Sequence, residues 1–363
     1  MLSAPSQRPD DTLDLMSENE ERPAVAAIVR GRRRRLVTSV LSALITAALV
    51  VLLPRAVGAT WTQVGTVLGR VSAGSLAVLT VVWIAGLWAH SFVLAASLPG
   101  LTKRRGLTLN LTGSAVANVL PLGGAAGTAL NFAMVRRWGF SPGAFGASLA
   151  VTTLLNVASK LGVVALALGL IPILHSGHAF GSASLLLLPV PAAVVASLWI
   201  LVDERAAVAV GSLLDRLAGV FRRTDLTDRL PDLRRRILQV MRTGWQPMTV
   251  GMVAYVALQL ALLWLCFAVL HVPLGIPVLF TALAVERLLT LVPITPGSAG
   301  VVEVGTTAAL VALGGDPAGV AAGLLLFRGF TYLMEIPVGG VLLAAWSWLQ
   351  SRASPAALEE PAG

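Results

Sequence analysis

The sequence predicts an all-α polytopic membrane protein. Three observations lead to this fold class: an apolar composition, several long apolar runs and a duplicated Gly/Pro pattern. Of the 363 residues, 56% are hydrophobic and 12% are charged, and the mean hydropathy is +0.81. Soluble domains carry about 25% charged residues. We therefore expect about six spanning helices plus two re-entrant broken-helix hairpins arranged as an inverted repeat.

The net charge of +9 would suggest nucleic acid as the partner of a soluble protein. Here the basic residues cluster beside apolar runs, which indicates membrane orientation instead. The single cysteine, Cys266, excludes an intrachain disulfide and a multi-cysteine metal site. The four histidines are scattered, so we predict no metal and no cofactor.

Residues 1–29 are predicted to be a disordered cytoplasmic tail, because they are acidic and contain proline. The basic cluster that begins at Arg30 precedes the first apolar run and should hold this end inside. Residues 30–350 form the predicted integral membrane domain, and 351–363 a cytoplasmic C-terminal tail. The predicted location is the inner (plasma) membrane.

A span needs about 20 apolar residues. Runs of this kind occur at 36–54, 76–98, 144–174, 183–202, 247–271 and 317–349. Two further stretches, 107–135 and 275–314, are interrupted, and neither half of the first is long enough to cross at about 1.5 Å per residue. We predict that the first dips from the inside and the second from the outside.

The distribution of positive charge sets the orientation of these segments. If the N-terminus is cytoplasmic and the segments cross or dip as predicted, 22 of the 27 Lys and Arg residues are cytoplasmic. Nine of them lie in the predicted amphipathic loop 203–246. The tryptophans at the predicted inner boundary form an aromatic belt; they are Trp138, Trp245, Trp346 and Trp348. The repeat halves, about 36–174 and 183–349, then have opposite orientations.

Each half contains a similar glycine- and proline-rich segment, followed by a second proline-containing break. Leu120-Pro-Leu-Gly-Gly-Ala-Ala-Gly127 is echoed by Pro293-Ile-Thr-Pro-Gly-Ser-Ala-Gly300, and the later marks are Ser141-Pro142 and Asp316-Pro317. Gly- or Pro-interrupted segments at corresponding positions of two halves indicate a transporter site built from broken helices. The alternative is that Gly and Pro are simply common in membrane helices.

Six ionisable residues fall within the predicted membrane segments: Lys160, Glu286, Arg287, Glu303, Arg328 and Glu335. Each would cost about 2.5–3.5 kcal/mol at the bilayer centre, so they should face one another or a wet cavity. Three are positive and three negative, so they could form only structural pairs. Arg328 and Glu335 are seven residues apart, about two helical turns, and should line one face of the sixth span.

We predict that Arg287 and Arg328 bind a phosphate-bearing headgroup. The backbone of Pro296, Gly297, Ser298 and Gly300 would cap it, because free N–H groups at a helix start bind anions. Gly124 and Gly127 would contribute from the inside. Glu286, Glu303, Glu335 and Lys160 would balance charge or carry a coupling proton. The alternative for the glycines is a tight turn with close helix packing.

The run Pro293-Ile-Thr-Pro-Gly-Ser-Ala-Gly-Val-Val-Glu303, with Asp316-Pro317 and Arg328, resembles the flippase-like transmembrane region of lysylphosphatidylglycerol synthase. The resemblance covers about residues 36–350 and implies a multi-span helical fold with a lipid-handling role. By position, Pro296, Gly297, Gly300, Glu303 and Arg328 match its pattern. The first half departs from it, with Thr152, Thr153 and Asn156 where relatives tend to carry charges.

The sequence thus predicts a flippase or transporter of membrane lipids, anionic or phosphate-bearing, without aminoacyl-lipid synthase activity. The chain ends at Gly363 with no soluble transferase segment, and no ATP-binding motif is present. An intramembrane enzyme is not expected, because no nucleophile constellation stands out. The alternative is a non-transporting scaffold that partners a lipid- or envelope-modifying enzyme.

Overall fold

In a computed structural model of the chain, the described residues are 48, 51–56, 58–120, 123–174, 226–291, 295 and 298–353. They are helical throughout, without a strand in these ranges. The helices with defined bounds are α1 (Trp61–Leu68), α2 (Ala73–Ser97), α3 (Lys103–Val119), α4 (Gly123–Arg137), α5 (Pro142–Leu174), α6 (Leu226–Val269), α7 (Ile276–Leu289), α8 (Val301–Ala312), α9 (Pro317–Arg328) and α10 (Glu335–Ala353), with a π-helical turn at Gly329–Leu333.

Four helical segments are long and apolar enough to cross a membrane: Ala73–Ser97, Pro142–Gly169, Arg235–Val269 and Pro317–Arg352. They confirm the spans predicted at 76–98, 144–174, 247–271 and 317–349. The predicted span 183–202 lies outside the described residues, as does most of 36–54. The last part of the predicted loop 203–246 forms the beginning of α6, which already starts at Leu226.

Each of these spans exposes large apolar side chains. Each span exposes a large aliphatic residue by about two thirds of its surface: Val81 (65%), Leu166 (64%), Val250 (68%) and Val341 (68%). Aliphatic residues in such positions are stable against lipid and costly in water. The chain is therefore a multi-pass membrane protein.

The dipeptides Ser141-Pro142 and Asp316-Pro317 each begin a helix. Ser141 accepts a hydrogen bond from the N–H of Ala144 at 3.1 Å, and Pro142 follows it as the first residue of α5. Asp316 accepts one from the N–H of Gly319 at 2.7 Å, ahead of Pro317 in α9. An oxygen-bearing cap followed by proline is a favoured helix start, so both marks have the same structural role.

The bundle is centred on the antiparallel pair α2 and α6. A Cβ atom on Gly244 would lie 2.8 Å from the carbonyl oxygen of Ala96, and one on Gly251 would lie 3.0 Å from that of Ala89. From the first contact to the second, the position moves seven residues forward along α6 and seven residues back along α2, as in an antiparallel pair. The small residues therefore let the two backbones approach over about two turns. The halves of the chain meet at this contact.

Each interrupted stretch forms a helical hairpin. In α3 and α4, a Cβ atom on Gly127 would lie 2.5 Å from the carbonyl oxygen of Gly113. In α7 and α8, Leu289 packs against Gly305. Each hairpin also packs against a helix of the other half: α3 packs on α10, and α7 packs on α5.

Basic and aromatic side chains pair at one end of the bundle. The cation-to-ring distances are 3.8 Å for Lys103 and Phe92, 5.0 Å for Arg105 and Trp138, 5.8 Å for Arg137 and Trp346, and 3.8 Å for Arg352 and Trp348. Cations within about 6 Å of a ring face are attracted to it. Residues near positions 103, 138 and 348, all predicted to lie at the cytoplasmic boundary, therefore lie at the same end of the bundle.

Candidate functional site

A cavity of about 280 Å³ with several polar groups in its lining lies between α2, α3, α4 and α5. Its lining includes three amides, three threonine hydroxyls and an imidazole: Asn110, Asn131, Asn156, Thr128, Thr152, Thr153 and His90. The lining contains no Lys, Arg, Asp or Glu among the residues that the structure describes. Leucines and Phe145 complete the wall. A cavity with an apolar wall and a few convergent polar groups is the usual form of a small-ligand site.

Several polar atoms of the cavity retain unused hydrogen-bonding capacity. The hydroxyls of Thr128 and Thr152 donate to the carbonyls of Gly124 and Ser148, each at 2.8 Å, so they can only accept from a ligand. The buried atoms Asn131 Oδ1 and His90 Nδ1 have no hydrogen-bond partner within the described part of the chain. Buried polar atoms are normally satisfied, so water or a ligand is expected to complete them.

The structure places two predicted site residues at this cavity, namely Gly124 and Gly127. Gly127 is held against α3, whereas a Cβ atom on Gly124 would meet nothing within 4 Å. Gly127 therefore closes the hairpin, and Gly124 leaves space in the cavity.

Glu303 and Arg328 form a buried ion pair away from this cavity. Arg328 Nε donates to Glu303 Oε1 at 2.6 Å, and the N–H of Gly300 donates to Glu303 Oε2 at 2.5 Å. The side chains are 9% and 5% exposed. One carboxylate thus caps the start of α8 and neutralises a cation of α9, which supports the structural alternative for this pair.

Arg287 belongs to a chain of polar groups that crosses the bundle. Its Nη2 donates to Gln259 Oε1, and Gln259 Nε2 donates to the Tyr255 hydroxyl at 2.6 Å. The Tyr255 ring lies 4.9 Å from the ring of His90, which lines the cavity. Glu286 Oε2 lies 3.5 Å from Arg287 Nε. The cavity of the first half therefore adjoins the charged groups of the second.

Glu335 interacts with the first hairpin. Asn118 Nδ2 donates to Glu335 Oε2 at 3.5 Å and to the Tyr332 carbonyl at 3.2 Å, and the Tyr332 hydroxyl donates back to the Asn118 carbonyl at 2.8 Å. The π-helical turn at Gly329–Leu333 holds an extra residue. This turn lies between Arg328 and Glu335, so their seven-residue separation is not that of a regular α-helix. That the two residues line one face of the last span stays a prediction.

Lys160 and Glu335 lie on helices that pack against opposite hairpins. Lys160 lies on α5, which packs on α7, the helix that carries Glu286 and Arg287, while Glu335 on α10 meets Asn118 on α3. The long span after each hairpin thus carries an ionisable residue and packs on the hairpin of the other half.

The second glycine element is only partly described. Pro296 and Gly297 lie outside the described residues, whereas Ser298 and Gly300 are buried and have φ angles of +55° and +84°. A positive φ is uncommon for serine and marks a strained turn. The hydroxyl of Thr295 closes this turn by donating to the Ala299 carbonyl at 2.7 Å.

The sequence did not single out four uncharged residues of the cavity and of the polar chain beside it as site residues: His90, Asn110, Tyr255 and Gln259. A usable signal existed, because the sequence has only two tyrosines, and the hydroxyl of each, Tyr255 and Tyr332, takes part in a hydrogen bond between the buried polar groups.

A family model described as the lysylphosphatidylglycerol synthase TM region matches residues 37–339. The chain belongs to this family. The match to the lysylphosphatidylglycerol synthase TM region includes both hairpins, the cavity and the Glu303–Arg328 pair. A search of curated proteins found no match.

Proposed function

We propose that this protein moves a phosphate-bearing lipid headgroup across the membrane by alternating access, without aminoacyl-lipid synthase activity. The polar cavity that contains Gly124 and Gly127 is the observation that carries the proposal. A headgroup needs a polar path through the hydrocarbon region, since unsatisfied polar groups there cost several kcal/mol. Membership in a lipid-related membrane family supports the same substrate class.

The packing supports two inverted halves. The second span of each half, α2 or α6, runs antiparallel to its counterpart, and each hairpin packs on the long span that follows the other hairpin. An inverted repeat places a site where two halves can rock against each other. We take this rocking as the transport motion.

The hairpin lengths support re-entrant segments. With 17 and 15 residues, α3 and α4 each extend less than the roughly 30 Å of a hydrocarbon core at about 1.5 Å per residue. Lys103 begins α3 and Arg137 ends α4, so both outer ends are basic. A hairpin that enters and leaves on the cytoplasmic side keeps these charges in water.

Basic residues lie close in sequence to one part of the cavity lining. Its lining includes Leu101 and Val135, which are near Lys103 and Arg136 in sequence. Arginine and lysine at a membrane boundary attract lipid phosphates. Arg287 and Arg328 are held by Gln259 and Glu303 in this conformation, so they would have to exchange partners to bind a phosphate.

The test is headgroup movement in proteoliposomes, with a variant that fills the cavity. Gly124→Leu adds a side chain where a Cβ atom has open space, and we expect movement of fluorescent phosphate-bearing lipids to fall at least tenfold. The matched control is Gly162→Leu on α5, where a Cβ atom also meets nothing within 4 Å and which is outside the cavity lining.

Equal movement in both variants would contradict a path through this cavity. Lipid movement no faster than in empty liposomes, with well-folded wild-type protein, would favour the scaffold.

A further inference from the structure

We propose that the cavity binds the uncharged, hydroxyl-rich part of a lipid headgroup, a single sugar or polyol of hexose size. This inference rests on the proposed function, because it names the chemical class of the substrate for the same cavity. It assigns the phosphate of that lipid to the basic residues near the cavity, Lys103 and Arg136, rather than to the cavity itself.

The absence of charge in the described lining favours a neutral guest. A desolvated phosphate or ammonium is costly unless an opposite charge or several strong hydrogen bonds compensate it. The charged groups of the second half, Glu303 and Arg328, satisfy each other instead. A sugar or polyol brings many polar atoms and no net charge into the cavity.

The hydrogen-bonding pattern fits hydroxyl groups. A hydroxyl donates and accepts, and the side-chain amides of Asn131 and Asn156 can do both. The oxygens of Thr128 and Thr152 remain as acceptors only, and the buried Asn131 Oδ1 is without a partner in the described residues. These acceptors can accept from sugar hydroxyls, whereas phosphate oxygens have no hydrogen to donate to them.

The size and the wall of the cavity also fit. A volume of about 280 Å³ lies just below the range of typical ligand pockets, which run from about 300 to 1,000 Å³. It suits one small ring rather than an oligosaccharide. Phe145 and the leucines of the wall offer an apolar surface to the C–H groups of a sugar, while the amides meet its hydroxyls.

Competitive lipid binding tests this inference, with bound lipid measured by native mass spectrometry on the full-length protein. Four lipids with identical acyl chains separate the two chemical groups: phosphatidylinositol, glucosyl diacylglycerol, phosphatidic acid and diacylglycerol. We expect the first two to bind at least tenfold more tightly than their counterparts without a sugar or polyol, because several buried hydrogen bonds would be lost. A preference that follows the phosphate alone would overturn the inference.

Variants tie the preference to the cavity. Asn156→Leu should reduce binding of phosphatidylinositol to the level of phosphatidic acid while the affinity for phosphatidic acid stays unchanged. Thr152→Val, which removes one of the acceptor oxygens at nearly constant size, should reduce the preference severalfold and serves if Asn156→Leu does not fold. Gly162→Leu should match the wild type. An unchanged preference in folded Asn156→Leu and Thr152→Val would contradict the proposed contacts.

The two proposals fail separately. If binding follows the phosphate and the protein still moves phosphatidic acid in proteoliposomes, the polyol site is wrong and the transport function stands. If binding follows the sugar and no lipid moves, the polyol site stands and the transport function is wrong.

Discussion

Glu303 connects a hairpin turn to the last span through its two carboxylate oxygens. One oxygen accepts from Arg328 and the other from the N–H of Gly300 at the start of α8. A carboxylate at a helix start also interacts favourably with the helix dipole. The position of Glu303 is therefore determined by three local requirements before any lipid is considered.

Removing Glu303 alone should destabilise the protein strongly. Glu303→Ala leaves Arg328 buried without its carboxylate, and breaking a buried ion pair in this way costs about 3–5 kcal/mol. The double variant Glu303→Leu/Arg328→Leu should cost less, because no unbalanced charge remains. The measurement is the free energy of unfolding in a reversible denaturant titration in detergent.

A double variant as unstable as Glu303→Ala would contradict this account. Because Arg328 is paired with Glu303, an Arg328 variant could lose transport through instability alone. Gly124→Leu is therefore the clearer test of the path through the cavity.

Among the helices, the contact of α3 with α10 is the tightest one between the halves. A Cβ atom on Gly339 would lie 2.1 Å from the carbonyl oxygen of Leu111, whereas one on its neighbour Gly340 would meet nothing within 4 Å. Backbone atoms cannot move aside as a flexible side chain can. The two helices therefore depend on the missing side chain at position 339.

Gly339→Ala should force α3 and α10 apart and lower stability by about 1–3 kcal/mol, as overpacking does. Gly340→Ala is the matched control and should be neutral or up to about 1 kcal/mol stabilising, because alanine has the higher helix propensity. Thermal unfolding of the two variants in the same detergent gives the comparison. Equal melting temperatures would contradict the close approach at Gly339.

Hydropathy and punctuation predicted the helices well, because both signals are local. Within the described residues, four long apolar runs form helices long enough to span, and the caps at Ser141 and Asp316 begin helices. The π-helical turn at Gly329–Leu333 has no such signal, since its extra residue is stabilised by contacts with another helix. Tyr332 within it exchanges hydrogen bonds with Asn118, 214 residues earlier.

At the scale of the whole molecule, the charges divide the bundle into two ends. We predict that a cysteine at Arg137 or Ser351 reacts with a membrane-impermeant maleimide only after permeabilisation, whereas a cysteine at Arg70 reacts in intact cells. The single native cysteine, Cys266, is buried, so it should remain silent as the background. Labelling of positions 70 and 137 from the same side would contradict the orientation.

The cavity could not be predicted as a whole, although parts of it were. Gly124 and Gly127 carried a local signal, the duplicated glycine element. His90, Asn110 and Asn156 come from three other helices, and nothing in their sequence neighbourhoods shows that they meet. Which polar groups share a cavity depends on how helices rotate about their axes, and that is determined by packing across the bundle.

The backbone contacts at Gly244, Gly251 and Gly339 also have a mechanical consequence. Each joins one half of the chain to the other through atoms that have no rotamers, so these points cannot adapt by exchanging side-chain conformations. Sliding one half past the other would drive backbone into backbone. In the rocking motion that we propose, the halves would turn about these contacts, with the glycines as pivots and the largest displacements in the parts farthest from them.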